Sequence, residues 1–185
     1  MNTRMTTDAG WIFRRAGWRE SATLLAAAWL VPVLVHLVPW SGPRPLGVCL
    51  LPVFWTTFVA VYFYGALPGL AVGLVTPVIN LLLTGLPALA AVGSMSFEVA
   101  GFALGASLLV ARWPRFRFSA PLAYVAAKAA VIAIRFVVPV FGETENPLHH
   151  FARSMQNGAA GLAVLAAINA LLVAFGPGAA AGEKP

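Results

Sequence analysis

Long apolar segments dominate this chain and limit its fold more than any other feature of the sequence. The stretches Leu46–Tyr64 and Ala66–Thr84 contain no charged side chain, and each is close to the roughly 20 residues of α-helix that cross the hydrocarbon core of a bilayer. Of the 185 residues, 60% are hydrophobic and only 10% are charged, which is too few charges to cover a water-exposed surface. A transmembrane β-barrel needs segments of about 10 residues in which apolar and polar side chains alternate. These segments do not alternate, so the sequence predicts an all-α integral membrane protein.

The apolar segments predict a bundle of six transmembrane helices, joined by short turns into one domain. The expected spans are residues 21–40, 46–64, 66–84, 94–111, 120–140 and 151–175. The predicted organisation is therefore a cytoplasmic interfacial segment (1–20), a six-helix transmembrane domain (21–176) and a short flexible tail (177–185). The N-terminal segment lacks the apolar core of a cleavable signal peptide, and its aromatic and arginine residues are typical of an interfacial position.

The basic residues predict the orientation of the bundle, because short cytoplasmic loops are enriched in Lys and Arg. If the N-terminus lies in the cytoplasm, eight basic residues fall on the cytoplasmic side and two, Arg44 and Arg153, on the outer side. The eight are Arg4, Arg14, Arg15, Arg19, Arg112, Arg115, Arg117 and Lys184. Both termini are therefore expected in the cytoplasm.

Charged and amide side chains inside the spans are candidates for a binding site, since an ionisable group in a bilayer is expensive and usually functional. Glu98 and Arg135 each lie about five residues from the outer end of their span, so they match in depth and can pair. Lys128 is seven residues before Arg135, on the same helix face but nearer the middle of the membrane. Uncharged polar groups lie at a similar depth on other spans, namely His36, Asn80, Gln156 and Asn157. These side chains together predict a substrate pocket that opens to the outer side.

Structural roles are alternatives for several of these groups. Glu98 and Arg135 would also serve as an ion pair that fixes helix packing, and His36 as an interfacial or helix-capping residue. Asn169 is expected to make an interhelical hydrogen bond. The apolar outer loop 85–93 either folds back over the bundle as a lid or lies flat at the interface.

Other classes of function find no support in the sequence. The net charge of +6 comes from clusters between apolar runs, which is typical of membrane orientation rather than nucleic-acid binding. No catalytic triad, HExxH motif or phosphate-binding glycine loop is present, so neither enzymatic activity nor a cofactor is expected. His149 and His150 are adjacent and lack a third ligand, so no metal site is predicted. Cys49 is the single cysteine, which excludes an internal disulfide.

Three segments carry a resemblance to a known family. They are the proline-bearing turn at 64–70 (YGALPGL), residues 76–87 (TPVINLLLTGLP), and residues 97–101 (FEVAG) followed by Leu104 and Gly105. In these segments the chain resembles the substrate-binding (S) components of energy-coupling factor (ECF) transporters, which take up vitamins and cofactor precursors. The likeness covers residues 31–110 well and the last two spans loosely. The size of the chain, six spans and two cytoplasmic termini agree with it.

The resemblance implies a mechanism and a set of partners. S components bind a small vitamin-like solute from outside, between the outer ends of the later spans and the loops that join spans one to two and three to four. They then topple in the membrane while two ATPase subunits drive a shared transmembrane (T) subunit. The resemblance implies a docking face for the T subunit at Ala22 and Ala26, because small residues four apart let helices approach closely. The implied location is the cytoplasmic (inner) membrane of a bacterium.

The chain also departs from the family pattern. Many relatives have a Gly-Arg pair in the middle of the fifth span, whereas this chain has Ala127–Lys128 and a later arginine, Arg135. Two cationic side chains, Lys128 and Arg135, against the single carboxylate of Glu98 favour an anionic solute. The alternatives are a structural membrane protein of the cell-envelope machinery that binds no solute, and a membrane enzyme or small channel. A channel needs a polar stripe that reaches the cytoplasmic face, and the inner third of these spans is almost wholly apolar.

Overall fold

The computed structural model describes residues 18–137 and 146–175, and these form eight α-helices. No β-strand occurs in these two ranges. The helices are α1 (Trp18–Leu37), α2 (Leu46–Leu50), α3 (Pro52–Tyr64), α4 (Ala66–Thr84), α5 (Leu89–Arg112), α6 (Ser119–Val137), α7 (Pro147–Asn157) and α8 (Ala159–Phe175). The expected tail 177–185, residues 1–17 of the expected N-terminal segment and residues 138–140 of the fifth span lie outside the described ranges.

Several of these helices are suited to a bilayer. Three stretches are long and apolar enough to cross it, namely Leu46–Tyr64, Ala66–Thr84 and Ala91–Arg112. The pair α7 and α8 meets the same criterion as one span that is bent by 60°. The apolar parts of α1 and α6 that are described, Leu25–Leu37 and Ser119–Ile134, are shorter. The chain is thus an all-helical protein with three or four candidate membrane-spanning helices.

Large apolar side chains cover the outside of the bundle. Leu67 and Leu82 on α4 are 80% and 77% exposed, and Leu108 on α5 is 71% exposed. Soluble proteins rarely expose large apolar patches. In a bilayer these side chains contact lipid, while the helices satisfy their own backbone hydrogen bonds.

The helix boundaries agree with the sequence in some places and differ in others. α4 has the expected bounds, and Gly65 separates it from α3 in a conformation (φ 86°, ψ −167°) that a residue with a side chain rarely adopts. α5 begins at Leu89, five residues before the expected start at residue 94. The second half of the apolar loop 85–93 is therefore helical, and only residues 85–88 connect α4 to α5.

Helices α5 and α6 pack closely and run antiparallel. A Cβ atom placed on Gly101 would lie 3.6 Å from the Cβ of Ala127, and one placed on Gly105 would lie 3.7 Å from that of Ala123. Residue numbers thus rise along α5 as they fall along the facing side of α6. Small residues on both sides let the two backbones approach closely, as in other membrane helix pairs.

An aromatic cluster fills the core between α3, α5 and α6. The ring of Phe54 lies 5.2 Å from that of Phe102 and 4.8 Å from that of Tyr124, nearly perpendicular to both. Phe58 and Leu165 are fully buried beside them. Edge-to-face pairs of this kind contribute about 0.5 to 1.5 kcal/mol beyond their buried area.

Polar side chains tie α8 to the rest of the bundle. Asn169 is fully buried; its Oδ1 accepts from the backbone N–H of Ala120 (2.8 Å) and its Nδ2 donates to the carbonyl of Phe116 (3.2 Å). The interhelical hydrogen bond expected of Asn169 is therefore confirmed, and it satisfies an N–H at the start of α6 that has no partner within the helix. The Tyr62 hydroxyl donates to the carbonyl of Leu172 (3.0 Å).

Two helix breaks meet at Leu51. Leu51 separates α2 from α3 in the left-handed region (φ 56°, ψ 43°). Pro52 after it disfavours a continuous right-handed helix at this point. Gly158 separates α7 from α8. A Cβ atom on Gly158 would lie 3.1 Å from Leu51 Cδ1, and one on Gly161 would lie 2.6 Å from Leu51 Cγ. The expected spans 46–64 and 151–175 are thus each divided into two helices. The two breaks pack against each other through Leu51 and Gly158.

We predict that Gly161→Ala destabilises the protein. The added Cβ would lie 2.7 Å from the backbone carbonyl of Leu50, which no change of rotamer can relieve. Overpacking of this kind costs about 1 to 3 kcal/mol, against a helix-propensity gain of about 1 kcal/mol. The control is Gly101→Ala, whose Cβ meets only ordinary contacts. In detergent, the melting temperature of the first variant should fall and that of the second should hold or rise; a melting temperature of Gly161→Ala at or above the parent's contradicts the described contact.

Candidate functional site

A cavity of about 280 Å³ lies at one end of the bundle. It is bounded by the C-terminal ends of α1 and α4, by α2, by the N-terminal parts of α3 and α5, and by α6 and α7. Its walls are mostly apolar, with a small number of polar groups among them. The lining residues are His36, Pro45, Gly47, Val48, Leu51, Pro52, Val53, Phe54, Asn80, Leu86, Pro87, Ala91, Ser94, Met95, Glu98, Tyr124, Lys128 and His150.

An ion pair between α5 and α6 lies in the wall of this cavity. Lys128 Nζ and Glu98 Oε2 are 2.7 Å apart, and the two side chains are only 14% and 11% exposed. The partner of Glu98 is therefore Lys128, where the sequence suggested Arg135. Gly101 of α5 lies against Ala127 of α6 in this antiparallel pair, so Glu98, about one turn before Gly101, lies near the level of Lys128. The two charges consequently match in depth.

Tyr124 supports the ammonium group of this pair. It lies one helical turn before Lys128 on α6, and Lys128 Nζ is 6.0 Å from the centre of its ring. This distance is at the limit of a cation–π interaction. The same ring contacts Phe54, so the ion pair is connected to the aromatic core.

Asn80 brings an amide group to the cavity from α4. Its side chain is 1% exposed, and its Oδ1 is buried without a hydrogen-bond partner. Asn80 lies one turn before Gly85, at which α4 ends in the left-handed conformation (φ 73°). The backbone carbonyl of Asn80 accepts a hydrogen bond from the Thr84 hydroxyl (2.7 Å), so the main-chain oxygen has a partner although the side-chain oxygen has none.

His36 forms part of the wall near the end of α1. Its Nδ1 is 2.7 Å from the carbonyl of Pro32, and its ring packs directly against Gly47 of α2, where any Cβ atom would overlap the imidazole. A second hollow of about 320 Å³ adjoins the cavity here and shares His36, Pro45 and Leu86 with it. This second hollow is lined by the loop between α1 and α2, including Arg44.

The short connection between α4 and α5 contributes to the cavity wall. Leu86 and Pro87 line the cavity, and Ala91 and Ser94 on the first turns of α5 continue the same wall. Leu86 and Pro87 of the α4–α5 connection are thus part of the cavity wall, and residues 89–93 of the expected loop belong to α5. The segment is shorter than expected because α5 begins at Leu89.

The structure brings four of the expected site residues together, namely His36, Asn80, Glu98 and Lys128. Gln156 is exposed and Asn157 is half-buried, and neither lines the cavity; the bend at Gly158 turns the polar helix α7 away from the line of α8. Arg135 lies on α6, and its side chain is outside the described part of the structure. Ala22 and Ala26 are both exposed on α1.

Sequence reasoning missed Tyr124, Ser94 and His150 as lining residues. Tyr124 had a recognisable signal, because a residue four positions before Lys128 lies on the same helix face. Ser94 was taken as the first residue of a span, at the membrane surface. His150 is near the cavity through the fold of α7, which the sequence did not indicate as a separate helix.

No protein-family model, curated protein or solved structure matches this chain. The function is therefore inferred from the cavity and from the sequence. The cavity combines apolar walls with a few polar groups, which is the usual character of a small-molecule site.

We predict that single substitutions in the ion pair are more damaging than the double substitution. Glu98→Gln or Lys128→Met leaves a charge without its partner in a nearly dry environment, which costs roughly 3 to 5 kcal/mol. The variant that carries both changes buries no charge and should recover most of that loss. Thermal unfolding of the four proteins in detergent measures the coupling. Additive losses would show that Glu98 and Lys128 do not depend on each other.

Proposed function

We propose that this chain is the substrate-binding S component of an ECF-type transporter, which captures a small vitamin-like solute in the membrane. The single observation that carries the proposal is the cavity of about 280 Å³, in which Asn80 and the Glu98–Lys128 pair are surrounded by apolar walls. The site contains no nucleophile with an activating base, so binding is the function that its chemistry supports. The resemblance in residues 31–110 supplies the family.

The orientation follows from the same proposal. The cavity lies at the end of the bundle that carries the α1–α2 and α4–α5 connections, and the opposite end carries Arg112, Arg115 and Arg117. If basic residues face the cytoplasm, the cavity opens to the outer side of a bacterial cytoplasmic membrane. The proposal includes six spans with both termini in the cytoplasm, in which α1 and α6 also cross.

The energy for uptake comes from partner subunits in this proposal, because the chain has no ATP-binding motif. The docking face for the T subunit is at Ala22 and Ala26 on α1. Both are exposed, whereas Ala28 on the same helix is buried against Ala60 and Val72. Within residues 18–137 and 146–175, the face formed by Ala22 and Ala26 is therefore not covered by other helices.

We predict that Ala91→Phe abolishes solute binding. Ala91 lines the cavity from the first turn of α5, so a phenyl group there would occupy the space of a ligand. The measurement is mass spectrometry of small molecules released from the purified, denatured protein. Ala111→Phe is the matched control, since Ala111 is exposed near the other end of the same helix.

The parent and the control should release the same solute, and Ala91→Phe should release little or none. Adding the identified solute at 100 times its dissociation constant should stabilise the parent by about 2.7 kcal/mol. Release of the same solute from Ala91→Phe protein would show that the solute does not bind in the cavity. If no solute is released from the parent and no vitamin stabilises it, a structural membrane protein is the better description.

We predict that Ala22→Trp or Ala26→Trp prevents association with the transporter partners. A bulky side chain on a close helix contact keeps the partner helix away, while the cavity at the other end is untouched. The measurement is recovery of the T subunit and the two ATPases with affinity-tagged chain from native membranes, together with the retained solute. Ala167→Trp, at an exposed position of α8, is the control; equal recovery for all variants would place the docking surface elsewhere.

A further inference from the structure

Asn80 lines the cavity and buries a side-chain oxygen that has no hydrogen-bond partner. In the part of the chain that the structure describes, five side chains bury a polar atom that has no partner: Trp29, Trp55, Thr57, Asn80 and Asn157. Asn80 is the one of these five that lines the cavity. A buried acceptor without a partner in the protein is destabilising, and a hydrogen-bond donor on a ligand in the cavity would satisfy it.

The charges in the cavity wall compensate each other. Glu98 and Lys128 are paired at 2.7 Å and are both nearly buried. An anionic ligand has to draw Lys128 away from Glu98, and separation of a buried pair leaves an uncompensated charge. An uncharged ligand leaves the pair intact.

The remaining walls favour a mainly apolar ligand body. Leu51, Phe54, Pro87 and Met95 line the cavity; they belong to the break between α2 and α3, to α3, to the α4–α5 connection and to α5. Its volume of about 280 Å³ is close to the lower limit of roughly 300 Å³ for typical small-molecule pockets. The ligand is therefore small, with few polar groups to satisfy.

We propose that the cavity selects an uncharged small molecule that donates an N–H or O–H hydrogen bond to Asn80 Oδ1. A carboxamide oxygen only accepts hydrogen bonds, so the ligand group that faces it is a donor. Primary amides, ureas and amino-substituted rings have this chemistry. The inference rests on the proposed function, and it replaces the anionic solute favoured by counting charges along the sequence.

Three probes of nearly equal shape test this selectivity: benzamide, benzoate and acetophenone. Benzamide is uncharged and donates, benzoate is charged and does not donate, and acetophenone is uncharged and does not donate. Dissociation constants are measured by ligand-observed NMR with detergent-purified, solute-free protein at millimolar probe concentrations. Benzamide should bind about tenfold more tightly than either of the others, which is the contribution of one good hydrogen bond.

Two matched variants locate the effect. Asn80→Leu removes the acceptor at similar volume and should raise the melting temperature, because a buried unpaired atom is lost. It should also weaken benzamide binding about tenfold, to the level of acetophenone. Asn157→Leu removes another buried unpaired acceptor that does not line the cavity, and should leave benzamide binding unchanged.

Three results overturn the proposed selectivity: tighter binding of benzoate, unchanged benzamide binding in Asn80→Leu protein, or no binding of any probe. These outcomes are separate from the fate of the proposed function. An anionic solute released from the parent and lost in Ala91→Phe leaves a solute-binding protein but refutes the uncharged ligand. Retention of solute by Ala91→Phe refutes the cavity as the binding site, whatever the probes do.

Discussion

A charged pair placed in an apolar bundle constrains everything around it. Glu98 and Lys128 lie on neighbouring helices at 2.7 Å, in surroundings where either charge alone is strongly unfavourable. Their contact fixes the register of α5 against α6, and the small residues Gly101 and Ala127 let the two backbones approach closely enough for it to form. Because Tyr124 connects the pair to the aromatic core, the cavity wall is held by packing as well as by charge.

The fold and part of the site could be predicted from the sequence because they depend on properties of neighbouring residues, such as hydropathy and spacing. Hydropathy located the apolar helices, and the glycine at Gly65 marked the break between α3 and α4. Counting residues from the helix ends placed His36, Asn80 and Glu98 towards the outer end of the bundle and Lys128 nearer its middle, and all four line the cavity. This counting does not reveal the contact between Glu98 and Lys128, because α5 begins five residues before its expected start, which changes the depth of a side chain by about 7 Å along the axis.

The two helix breaks, at Leu51 and Gly158, could not be predicted from hydropathy or spacing along the sequence. Pro52 signals a disturbance in the second span, but nothing in its neighbourhood specifies that Leu51 takes a left-handed conformation (φ 56°). That conformation costs about 1 to 2 kcal/mol for a residue with a side chain, so it needs support from elsewhere. The support comes from α8, where Gly158 and Gly161 leave room for the Leu51 side chain. The periodicity of apolar residues along the sequence gives no information on a contact between residues more than a hundred positions apart.

These features have a common consequence for recognition. In the proposed site Glu98 and Lys128 are paired with each other, so we infer that discrimination between ligands falls to hydrogen bonding and shape. The apolar surroundings favour this discrimination, since a ligand that leaves Asn80 Oδ1 unpaired gains no compensating hydrogen bond from nearby water. The ion pair between α5 and α6 would thus limit the ligand class. Leu51 and Gly47 in the cavity wall would limit the size of the ligand.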